Sequence, residues 1–181
     1  DFEGVVMGSD KEAFFTATNI YLTPTSLSAI TFNFLMSLSG GLMAGYVLSK
    51  GDPFWSYSGG LAGVITASAG NDLYHPVEAM VIAMVGVWIA YKMHHWVERK
   101  FKIDDAVGAV AVHGYAGFAG TVIAGFMLWG YPSNVAYEAT GWFGNVDGVA
   151  QINPIGNFLG AVLMFWGLGF LPCWLLAKLL D

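Results

Sequence analysis

Four histidines and a handful of carboxylates are the only groups in this 181-residue chain with obvious acid–base or ligand chemistry. His113 is the most informative. It sits mid-way along an uncharged, glycine-rich apolar run, residues 106–129, long enough to cross a bilayer. An ionisable group at that depth is costly, so it faces a bundle interior or an aqueous path rather than lipid. Histidine also gains and loses a proton near neutral pH. The position suggests a permeation or proton pathway, or else a packing histidine bonded to a neighbouring helix. Asp104 and Asp105 resemble a catalytic carboxylate pair, yet they precede a helix, where negative charge stabilises the N terminus by roughly 0.3–1 kcal/mol. A helix-start role fits them better.

The adjacent pair His94 and His95, close to Glu98, carries metal-ligand residue types. Neighbouring side chains on a helix diverge by about 100°. A solvated pair where the helix meets a basic loop is therefore expected, with no metal. His75, before Pro76, reads as a turn residue, and Glu78 as a first-turn charge. The single cysteine, Cys173, excludes an intrachain disulfide and a cysteine-based metal cluster. Phosphate loops, nucleophile elbows and the HExxH pattern are not found. The expectation is a non-enzyme without a cofactor.

These residues ride on a membrane protein. The chain is 56% hydrophobic and 11% charged, against about 25% charged in soluble domains. Seven basic residues and a net charge of −6 do not make a nucleic-acid surface. An extracytoplasmic segment, 1–23, precedes a five-helix region, 24–181, with spans at about 26–49, 55–70, 76–98, 105–129 and 154–180. The second is short, and counting it as a span makes the parity work. Lys50, Lys92, Arg99, Lys100, Lys102 and Lys178 then share one side, with Lys11 the exception. The positive-inside rule puts the N terminus outside and the C terminus in the cytoplasm of a cell-membrane, multi-pass protein. Trp55, Trp96 and Trp129 are expected at the interfaces. Pro172 should kink the last span or mark its turn. Small residues four apart (Gly41/Gly45, Gly59/Gly63, Gly156/Gly160 and Ala116/Gly120/Ala124) predict close helix contacts.

The stretch from Lys102 through Asp104, Asp105, His113 and Gly114 to Gly120 closely resembles the Amt/Rh ammonium transporters. Gly59–Gly63 and Thr66–Gly70 look like that family's eighth helix and the turn after it. The resemblance covers roughly residues 24–180 and implies helices seven to eleven of an eleven-helix, inverted-repeat, all-α fold. It implies that His113 is the second of a twin-histidine pair relaying protons in a hydrophobic pore for ammonium or ammonia, with methylammonium as an analogue. Ala109, Val110, Gly117 and Thr66 would lie along the pathway, while Asp104 and Asp105 are kept at the cytoplasmic helix start. Gly108 stands where many relatives have aspartate, Ala67 replaces a turn proline, and Ile30 replaces an asparagine. Further implied partners are membrane lipid, a first half supplied by another segment or chain, and two further copies in a homotrimer. An ammonium sensor of the same fold and a non-conducting structural subunit are the alternatives.

Overall fold

The computed structural model describes residues 19–20, 23–24, 27–102, 104–130, 132–136 and 149–180. The helices are α1 (Leu27–Ser49), α2 (Pro53–Ala67, extended by a 3-10 turn Ser68–Gly70) and α3 (Pro76–Phe101). They continue with α4 (Ala116–Met127, preceded by a π-helical turn Val110–Tyr115), then α5 (Pro154–Val162) and α6 (Leu171–Leu180). A second π-helical stretch, Leu163–Phe170, joins the last two into one rod. Short antiparallel pairs occupy the connections: β1 (Asn19–Ile20) with β2 (Thr23–Pro24), and β3 (Pro132–Ala136) with β4 (Val149–Gln151). Among the described residues these are the sole departures from an all-α architecture.

Three helices start with proline at the first position, where its missing N–H costs nothing. In each case the residue before it caps. Asp52 accepts from the Trp55 N–H at 3.0 Å, and Asn153 from the Gly156 N–H at 2.7 Å. His75 accepts at Nδ1 from the Val77 N–H at 3.2 Å, and Glu78 accepts from the His75 N–H at 3.0 Å, a reciprocal box. The turn role expected of His75 is thus a helix cap. Beside it Tyr74 is buried; that burial, and next the charges of Asp72 and Glu78, push its phenol up and hold it neutral.

Four helical stretches are long and apolar enough to cross a membrane: Ser28–Ser49, Pro76–Phe101, Val110–Met127 and Pro154–Leu180. The shorter α2, with its 3-10 turn, nonetheless runs beside the whole of the Val110–Met127 stretch. Phe54 packs at Gly108, Thr66 at Gly120 and Gly70 at Leu128, so the two ends of this segment are level with residues 108 and 128, a rise of roughly 24 Å from Phe54 to Gly70 at helical pitch. Against α1 it runs antiparallel, with Gly45 on Trp55 and Gly63 on Gly41. The backbones nearly touch: a Cβ at Gly59 would lie 2.6 Å from the Gly41 carbonyl oxygen, and one at Gly63 2.8 Å from the Gly41 Cα. Asn33 closes the far end by donating to the carbonyls of Asn71 and Tyr74 at 2.8 and 2.7 Å. Two such buried bonds contribute on the order of 1 kcal/mol each.

The core has two parts. Trp55, Ala62, Val87, Ala90, Ala111 and Val112 form one cluster with Ala116, towards the α2 N terminus. The second gathers Ala67, Leu73, Tyr74, Ile82 and Leu128 with their neighbours at the opposite end. Trp55, expected at an interface, is instead 4% exposed, with its ring 5.1 Å from Tyr91 and 5.3 Å from His94. Trp96 and Trp129 do lie exposed.

The final rod is hardly covered; no residue of Leu163–Phe170 or Leu171–Leu180 is buried. Its Gly156 and Gly160 were expected in a close helix contact, yet nothing stands within 4 Å of a Cβ at Gly160, and Gly156 meets only its own cap, Asn153. The rod also does not turn at Pro172 but stays helical to Leu180. Its π-helical stretch ends next to Pro172, with the Leu171 N–H bonded to the Trp166 carbonyl, one residue farther back than in an α-helix. Widening of this kind absorbs a residue that cannot donate to the carbonyl four positions earlier.

Candidate functional site

The helix carrying His113 begins from a buried carboxylate. Asp105 is 5% exposed and accepts from the Val110 N–H at 3.0 Å and the Ala111 N–H at 3.1 Å, satisfying two donors that a helix start leaves open. Asp104 is exposed. Between the carboxylate and the helix, the chain turns through Gly108 at φ +67°, a conformation that costs glycine nothing. A Cβ there would come 3.1 Å from the Phe54 ring, so glycine suits this turn twice over.

Asp105 thereby anchors the π-helical turn Val110–Tyr115, with His113 in its middle. Such wide turns are uncommon and concentrate at functional sites. Here two of them meet. Gly114 lies against Phe165 of the second π-helical stretch, where a Cβ would be 2.8 Å from the ring, and the Tyr115 and Phe165 rings are 6.2 Å apart.

The turn splits its side chains between two faces. Ala111, Val112 and Ala116 are buried against Trp55, Ala62 and Val87. His113 is exposed, and Ala109 and Val110 are exposed with it. Gly117, one turn on, is half-buried and lies near Ile65. The structure therefore brings His113, Ala109, Val110 and the edge of Gly117 onto one face that no other described helix covers.

Thr66 is elsewhere. It is fully buried, and its hydroxyl donates to the Ala62 carbonyl at 2.8 Å. Gly86 of α3 closes on its side chain and Gly120 of α4 on its backbone. This wedge between three helices leaves it no opening towards the pathway expected of it.

The other departure is His94. Expected in solvent, it is 7% exposed under Trp55 and Phe54, ring centroids 5.3 and 6.1 Å away. Its Nδ1 is 3.4 Å from the Asp105 carboxylate and its Nε2 3.3 Å from Glu98. His95, more open, has Nδ1 3.7 Å from the other Glu98 oxygen. The 100° divergence of adjacent side chains does hold, but Glu98 is i+4 from one and i+3 from the other, so it reaches both. The signal was present as His-His-x-x-Glu; the cover supplied by α2 was not.

A bundle of apolar, glycine-packed helices that leaves an ionisable residue on an uncovered face one turn into its helix is the architecture of a multi-span membrane protein. The profile of the Ammonium Transporter Family matches residues 12–181, and the chain belongs to that family. It is 26% identical to the ammonium transporter Amt1 of Methanocaldococcus jannaschii over 140 residues, 76% of this chain and 32% of that protein. An ammonium transporter of Corynebacterium glutamicum is 26% identical over 159 residues, 85% of this chain and 33% of its own length. Amt2 of Archaeoglobus fulgidus is 30% identical over 138 residues, covering 73% and 28%. The chain thus spans about a third of the length of these relatives. No solved structure matches it significantly.

Proposed function

We propose that this chain supplies one half of a conduit for ammonium or ammonia, with His113 as a proton-handling group on the conduit wall. The observation that carries this reading is the exposed face of His113, Ala109 and Val110 in a chain of the ammonium transporter family. A charged ammonium left unpaired in a dry interior costs on the order of tens of kcal/mol by Born estimates, so a narrow apolar path favours neutral ammonia. An imidazole beside that path can take the proton and hand it on. Small Ala109 and Gly117 keep the ring reachable, and Val110 keeps water scarce. A second set of helices, from another segment or chain, closes the open side, and three such assemblies form a trimer.

The reading is tested by comparing liposomes that hold this chain alone with liposomes that hold it together with the helices that co-purify from native membranes. Stopped-flow flux should be saturable and ammonium-selective for the assembly and absent for the chain alone. An assembly without flux would overturn the proposed function. Robust selective flux from the chain alone would overturn the need for a closing half.

The basic residues orient it. We place the Lys92–Lys102 end in the cytoplasm and the turn at 71–75 outside, with α2 counted as a crossing because it matches α4 in depth. Single cysteines at Lys100 and at half-buried Asp72, in a Cys173→Ser background, should react with a membrane-impermeant maleimide from the inside and the outside respectively. Labelling of Lys100→Cys from outside would reverse the orientation. A further cysteine at Lys50 should label from inside, and its labelling from the same side as the 71–75 turn would remove α2 as a crossing.

A further inference from the structure

The proton chemistry of His113 leaves unused the polar cluster at the other end of α3. His94, His95 and Glu98 each offer one ligand atom, and these three atoms lie within 4.8 Å of one another. Asp105 stands behind them, 3.4 Å from Nδ1 of His94. A neutral imidazole has one N–H to donate. His94 nevertheless faces a carboxylate with each ring nitrogen, Asp105 at Nδ1 and Glu98 at Nε2. If Nδ1 carries the hydrogen, the lone pair of Nε2 is aimed 3.3 Å from a carboxylate oxygen. Two acceptors at that distance repel unless a proton or another cation lies between them. Among the described residues no lysine or arginine pairs with Glu98 or Asp105, although Arg99, Lys100 and Lys102 are close in sequence.

We infer that His94 Nε2, His95 and Glu98 form a binding site for a divalent transition-metal ion of the zinc class, oriented by Asp105. The donor set is two imidazoles and a carboxylate, which suits zinc with a fourth position left to water. A tetrahedral zinc with ligands at about 2.0–2.1 Å needs its ligand atoms about 3.3–3.4 Å apart. The His94–Glu98 pair already has that spacing, at 3.3 Å. His95 and Glu98, with side chains 41% and 36% exposed, are free to rotate inwards by the remaining distance. The Asp105 carboxylate has the place of an outer partner, taking the second ring N–H of a metal-bound histidine and fixing its tautomer. It is itself fixed by the Val110 and Ala111 N–H groups, so the ion would tie the end of α3 to the start of the His113 helix.

The test uses the full chain in detergent with a histidine-free purification tag, and zinc alone as the probe. Equilibrium dialysis with elemental analysis should give one zinc per chain, and zinc should raise the melting temperature of the wild type by mass action. Glu98→Gln and His95→Gln, both at half-exposed positions, should each weaken binding at least tenfold while leaving the zinc-free melting temperature unchanged. Asp105→Asn should weaken it roughly 10–100-fold through the orientation of His94. Wild-type affinity in either Glu98→Gln or His95→Gln would overturn the site. So would absence of stoichiometric binding by the wild type.

Discussion

Gly120→Val is expected to be among the most damaging single substitutions in the bundle. Gly120 faces the backbone carbonyl of Thr66, with the Thr66 Cα and carbonyl carbon both 2.9 Å from where a Cβ would stand. No rotamer change relieves a clash with backbone; α4 and α2 must move apart. Inserting methyl groups into a packed contact costs typically 1–3 kcal/mol, and this case lies at or above the top of that range, roughly 3 kcal/mol. For a chain of this length that is a fall of roughly 6–12 °C in melting temperature. Gly160→Ala is the contrast. Nothing stands within 4 Å of its Cβ, and replacing a mid-helix glycine adds roughly 0.5–1 kcal/mol of stability. Fluorescence-detected melting of both variants in one detergent measures the difference. Equal melting temperatures would mean that α2 and α4 do not meet at Thr66.

The same pair of glycines shows which part of the fold can be read from sequence. Four-residue spacing marks Gly120 and Gly160 equally, and both read as contact positions. Among the described residues only the first meets a partner helix, because spacing describes one helix and contact requires two. Gly41/Gly45 and Gly59/Gly63 succeed because a tight turn at Lys50 and Gly51 forces their helices antiparallel and adjacent.

Thr66 and His94 fail for the same reason in opposite directions. Thr66 seemed open and is enclosed by Gly86 and Gly120. His94 seemed solvated and is roofed by Trp55 and Phe54. Both outcomes are set by residues at least 20 positions away in the chain, beyond any local pattern. The π-helical turns are equally hidden. Apolar periodicity sees which residues recur, not which carbonyl an N–H selects, so the widened turn at His113 has no signature in residue spacing. What was legible is the helical membrane class, which long uncharged apolar runs demand. His113, expected mid-way along residues 106–129, instead lies one turn into the helical stretch Val110–Met127, because the chain from Asp105 to Gly108 is spent on the turn that caps it.

The exposed position of His113 carries the last expectation. In the assembled conduit, His113→Ala should leave the helix folded, because the ring is exposed in this chain and its removal opens no cavity against Trp55 or Ala62. Proton hand-over should fail, and coupled flux should fall by about two orders of magnitude, the lower end of what a positioned acid–base group contributes. His113→Glu separates the chemistry from the packing. A carboxylate at this position can still hold a proton, but when ionised it holds a permeating cation instead of passing the proton on. Selectivity should then shift from neutral ammonia towards cation conduction, seen as current without the matching change in internal pH. Electrical recording paired with a pH-sensitive dye in proteoliposomes reads both quantities. Unchanged flux and selectivity in both variants would remove His113 from the pathway, even with the exposed face of Ala109 and Val110 lining it. A loss in both with identical ion preference would make His113 a spacer in the conduit wall, because a proton-handling residue cannot be exchanged for an alanine and a carboxylate with the same result.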